Sequence, residues 1–133
     1  MDPRAFYEQL VKQIVDADVR KVAQVMLSHV GEKNRIALGE LADQAFGEFT
    51  ESTERKVRLI LAKLVTDYHM PIGAYSAKPG RWLCADEEER RRVVMDLTAR
   101  YNELQNRIHA LRLAAVPAKE PKFEKPVQNN LWS

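Results

Sequence analysis

The sequence predicts a mainly α fold that carries one small β-hairpin, with helices ahead of it and a long C-terminal helix behind it. Three observations lead there. Apolar residues recur every three or four positions through most of the first 115 residues. The segment IGAYSAKPGRWLC at 72–84 breaks that spacing around a Pro-Gly pair. The last stretch, 116–133, holds three prolines and three lysines with little periodicity.

Taken in order, Asp2-Pro3 is a helix-start signal: a capping oxygen, then a residue whose missing N–H is no loss at the first position. Phe6, Leu10 and Ile14 then mark an inward face. A second helix starts near Asp16 or Asp18, turns Val19, Val22, Ala23, Met26 and Val30 inward, and stops at Gly31. Residues 31–34 form a loop, and 35–38 suit a very short strand. GELADQAFG at 39–47 reads as a short helix with Leu41, Ala42 and Phe46 inside and Gly47 closing it.

Thr50, Ser52 and Thr53 are capping candidates for a longer helix to about Tyr68, ended by Pro71. Its inward residues are Val57, Ile60, Leu61, Leu64 and Val65. Strands at 72–76 and 81–84 flank a tight turn at Ala77-Lys78-Pro79-Gly80. Asp86 caps the longest helix, and Glu89 reaches back in a capping box. The expected organisation is N-terminal helices at 1–30, a central domain at 31–85, a long helix at 86–115 and a flexible tail at 116–133.

Composition narrows the function. The 133 residues include 21 Lys+Arg and 19 Asp+Glu, a net charge of +2, so nucleic-acid binding must come from local patches. Residues 31–84 hold eight basic and seven acidic side chains. Cys84 alone excludes an internal disulfide and a Cys-rich zinc site. His29, His69 and His109 are scattered without ligand spacing, and neither G-x-x-x-x-G-K-[ST] nor G-x-G-x-x-G occurs. No enzyme, metal or cofactor is expected. No apolar run reaches a membrane span, and the first residues lack the pattern of a signal peptide. The expected setting is cytoplasmic.

Residues 36–84 resemble winged-helix domains of bacterial and phage DNA-binding proteins. The resemblance rests on "LGELAD-A-G", "S-x-x-R-K-V-R-x-x-L-x-x-L", "PIGAYS" and "PGRWLC", followed by "D-E-E-E" opening a long helix. It implies a winged helix-turn-helix and a DNA-binding role in replication, recombination or transcription control, with double-stranded DNA as partner. The residues read independently agree. With Val57, Ile60, Leu61 and Leu64 inward, Arg55, Arg58, Ala62 and Thr66 turn outward. The expected DNA-contacting set is Ser52, Thr53, Arg55, Lys56, Arg58 and Lys63, with Lys78 and Arg81 of the hairpin. The competing reading makes the same charges an ordinary solvated face and the domain a protein-interaction adaptor.

Val94, Leu97, Tyr101, Leu104, Ile108 and Leu111 are spaced 3, 4, 3, 4, 3, an a/d seam. Either it forms a homodimer or it packs on the N-terminal helices of its own chain. Arg90-Arg91-Arg92 follows three glutamates and reads as a self-paired face. The C-terminal Gln128, Leu131 and Trp132 resemble the short peptide by which bacterial replication and repair proteins grip the sliding clamp, which makes that clamp a second expected partner.

Overall fold

A computed structural model describes residues 2–118. The fold is mainly α: α1 (Pro3–Lys12), α2 (Ala17–Met26), a 3-10 turn (Glu32–Asn34), α3 (Leu38–Phe46), α4 (Glu51–Thr66), the antiparallel strands β1 (Ile72–Tyr75) and β2 (Lys78–Leu83), and α5 (Glu87–Leu113). No described helix is long and apolar enough to cross a membrane. The described residues fall into two units that divide between Arg100 and Tyr101.

In the first unit, α1 and α2 are not a separate N-terminal piece. Val11, Val22, Ala23 and Met26 share one core with Ile36, Leu41, Val57, Leu64 and Leu83. Truncating a fully buried leucine such as Leu64 would cost about 2–5 kcal/mol. The buried residues of α1 are Tyr7 and Val11, each one position on from the expected Phe6 and Leu10; Phe6 is half exposed, Leu10 packs on the core only in part, and Ile14, just past the helix, is buried as expected. Both pairs fit a helical face. The Tyr7 hydroxyl decides between them by donating to the Cys84 carbonyl.

Asp2 stands at the cap position of α1 but makes no side-chain cap bond, whereas Asp16 Oδ1 accepts from Val19 N–H at 3.0 Å. Helix α2 ends at Met26, well before Gly31. Gly31 instead adopts φ +95° to start the 3-10 turn. Gly47 does cap α3, at φ +79°.

Thr50 and Thr53 form a reciprocal capping box at the start of α4. That helix ends at Thr66, so Pro71 is not its terminator; the chain turns at His69, which takes φ +56°. Val65 is exposed rather than inward.

The hairpin turn also lies earlier than expected, at Ser76-Ala77, and β2 already starts at Lys78. Ile72 pairs with Leu83, Gly73 with Trp82, and Tyr75 with Lys78, with an irregularity between Gly73 and Tyr75. The far edge of β2 is also covered. Arg81 exchanges both backbone hydrogen bonds with Ile36 at 2.9 Å, and Leu83 N–H donates to His29 O at 2.8 Å. The expected short strand at 35–38 is thus a single bridge at Ile36.

A second small core joins Trp82, Cys84 and Val93, with Tyr75 edge-on to Trp82 at 5.1 Å. It packs the hairpin against the first turns of α5. Asp86 accepts from Glu89 N–H at 2.9 Å, but Glu89 does not return the bond to Asp86. Its carboxylate accepts from Ala85 N–H at 2.9 Å and Glu32 N–H at 3.0 Å, tying α5 to the 3-10 turn.

Candidate nucleic-acid interface

Helix α4 presents a sharply two-sided surface. Val57, Ile60, Leu61 and Leu64 lie in the core, while Ser52, Arg55, Arg58, Leu59, Ala62, Lys63 and Thr66 are exposed. This is the division that the 3.6-residue period dictates. Thr53 does not reach that outer face. It is 9% exposed, and its hydroxyl accepts from Thr50 N–H at 2.8 Å, which holds it inside the cap.

The basic residues are in three different situations. Arg55 and Lys63 are exposed and form no ion pair among the described residues. Lys56 and Lys78 are engaged. Lys56 Nζ is 2.8 Å from Asp18 on α2 and sits over the Phe46 ring at 4.5 Å, and Asp18 is held below the usual carboxylate range chiefly by its hydrogen bond from Lys56. Lys78 Nζ is 3.7 Å from Glu32. Arg58 is loosely held by Glu54, one helical turn back at 3.4 Å. Exposed pairs of this kind contribute at most about 1 kcal/mol and yield readily to a competing anion.

Arg58 and Arg81 both line the groove between α4 and the hairpin. The groove, about 280 Å³, is lined by Arg58, Leu61, Ala62, Val65, Ile72, Ala74 and Arg81. Arg81 is half-buried, and its guanidinium donates to Gly80 O at 3.1 Å. Burial first, and then the Arg58 charge, lowers its pKa from the usual arginine value. An arginine stays charged despite such a shift, so two cations line the groove, one from α4 and one from β2.

The hairpin tip is less free than its sequence implies. Ser76 N–H and Oγ both donate to Asp96 of α5, at 3.3 and 3.4 Å. Glu32 gathers Lys78 at 3.7 Å, Arg92 at 3.9 Å and the Tyr75 hydroxyl at 3.4 Å. Carboxylates therefore stand beside Lys78, while Arg81 lines the groove with Arg58 and forms no ion pair among the described residues.

Arg35 is a basic residue near this surface that sequence reasoning missed. It is exposed, and its stem lies against Gly80, where an added Cβ would come within 3.0 Å of Arg35 Cδ. Gly80, at φ +106°, was the available signal: a left-handed residue inside a strand marks a close approach.

Arg90 and Arg91 pair with Glu87 and Glu88, and Arg92 lies 3.6 Å from Glu88, which leaves this run largely self-neutralised. His29 Nδ1 lies 2.7 Å from Asn34 O, and no group of potential metal ligands occurs among the described residues. Gln128, Leu131 and Trp132 lie outside the described residues. Neither a family model, nor a curated protein, nor a solved structure matches this chain.

Proposed function

We propose that this chain is a non-enzymatic DNA-binding protein of winged-helix character. In this reading it sets the outer face of α4 and the adjoining edge of β2 on duplex DNA. The observation that carries the reading is the Arg58–Arg81 arrangement. Two guanidinium groups from different elements line one groove, and the Arg58 charge adds to burial in lowering the Arg81 pKa. A phosphate oxygen between them would turn that repulsion into two charge-assisted hydrogen bonds. Arg55 and Lys63 extend the basic surface along α4, and small Ala62 permits close approach. Lys56 and Lys78 play secondary parts, because each has a carboxylate already in hand. Replication, recombination and transcription control are the processes such binding would serve.

The test is fluorescence anisotropy of the full chain with labelled random duplex and single-stranded DNA. Four engaged cations predict a log–log salt slope of roughly −3 to −4 on duplex. Absence of duplex binding at about 50 mM salt, where a few phosphate contacts already suffice for measurable affinity, overturns the proposal.

A second reading draws on Leu59, which is 67% exposed on the same face, with Val65 nearby. Exposed apolar side chains beside arginines also suit a protein partner. There the domain is an adaptor, and the Gln128, Leu131 and Trp132 peptide recruits a sliding clamp. Association with a clamp that survives deletion of residues 128–133 would remove the clamp from this reading.

A further inference from the structure

We infer that α5 pairs with the α5 of a second copy of this chain as a parallel, in-register, two-stranded coiled coil. Val94, Leu97, Tyr101, Leu104, Ile108 and Leu111 are all 45–68% exposed, although they form an unbroken a/d seam. A run of six large apolar side chains open to water marks an interaction surface.

Three observations commit the seam to a second copy. The first is the choice of side chain. Two of the three a positions are β-branched, Val94 and Ile108, and every d position is leucine: Leu97, Leu104 and Leu111. In a parallel coiled coil this combination favours two strands over three or four. The second is Tyr101, at the central a position. Gln105 Nε2 donates to its hydroxyl at 2.9 Å, so the ring can be enclosed without leaving the phenol oxygen unpaired. The third is area. About half of each of the six side chains is uncovered, on the order of 1,200 Å² over two copies, which reaches the lower edge of stable protein interfaces.

The flanking charges shape the pairing. In a parallel pair, Arg100 comes beside Gln105 of the other copy, and Arg107 beside its Arg112. The second contact is repulsive, and Glu103, 3.7 Å from Arg107 within the chain, softens it. Dimerisation should therefore strengthen with added salt and with Arg112→Glu. The inference goes beyond the DNA reading and does not depend on what α4 binds.

The test uses the full chain in sedimentation equilibrium from about 1 to about 100 µM, the range that resolves micromolar affinity. The expected result is a reversible monomer–dimer equilibrium. Leu104→Glu with Ile108→Glu should weaken it at least tenfold with unchanged helical circular dichroism, since both positions are exposed in the single chain. Leu111→Cys reports orientation, because the native Cys84 is buried. A parallel pair gives a Leu111→Cys disulfide dimer on oxidation. An antiparallel pair sets position 111 opposite 94, about 25 Å from its own copy, and gives cross-links only when mixed with Val94→Cys. A monomer at every concentration overturns the dimer, and cross-linking only in the mixture overturns the parallel arrangement.

Discussion

Glu32 holds Lys78 of the hairpin at 3.7 Å, from a turn that lies 46 residues earlier in the chain. The same carboxylate also meets Arg92. Substituting Glu32→Gln keeps the shape and frees Lys78, while Arg92 retains Glu88 at 3.6 Å. If the hairpin tip approaches phosphate, duplex affinity rises several-fold and the salt slope steepens by about one. Anisotropy titration measures both. An unchanged slope would place the tip away from the DNA.

Gly73 makes room for Trp82. A Cβ at Gly73 would lie 2.4 Å from the indole. Gly73→Ala must displace a ring that is 1% exposed and centres the second core. The expected loss is about 1–3 kcal/mol in urea unfolding. A change within about 0.5 kcal/mol, ordinary for a surface site, would mean that the hairpin packs differently.

Ser52 and Thr53 are adjacent but play opposite parts. Thr53→Ala removes half of the capping box and should lower stability by about 1–2 kcal/mol. Ser52→Ala should leave stability unchanged and act only on binding. Thermal unfolding and anisotropy on the two variants separate these roles, and equal stability losses would contradict the cap assignment.

The Tyr7 phenol and the Cys84 thiol predict alkaline sensitivity. Burial foremost pushes them up to about 12 and about 11, from 10.0 and 9.0. In that range the folded chain holds protons that the unfolded chain has released. The stability is therefore fully present below about pH 9 and falls as pH rises towards 12. Tyr7→Phe should flatten the upper part of that fall, and should cost about 1 kcal/mol at neutral pH through the lost bond to Cys84 O. Urea midpoints from pH 7 to 11 check this, and an identical slope in the variant would exclude Tyr7 as the source.

Local pattern carried much of the fold. The period of Val57, Ile60, Leu61 and Leu64 named the buried side of α4, and the turn chemistry at 77–80 announced a hairpin. What local pattern missed depends on distant partners. Phe6 and Tyr7 fit a helical face equally well until the Cys84 carbonyl, 77 residues away, selects Tyr7. Lys56 looked like a free cation because Asp18 and Phe46 lie on other helices. Arg35 was unremarkable until Gly80 folded against it. Strand β2 begins earlier than expected because the chain already turns at Ser76-Ala77 and Lys78 pairs with Tyr75, while the Ile36 bridge to Arg81 is a second edge that a hairpin pattern does not reveal.

The most direct test of the account is the salt dependence of duplex binding by Arg58→Gln and by Arg55→Gln with Arg58→Gln, alongside the parent chain. Both positions are exposed, so folding should be unaffected, as melting curves on the same samples would verify. The account predicts a stepwise loss of affinity and a slope shallower by about one for each arginine removed. Duplex affinity and slope equal to those of the parent chain in both variants would contradict it.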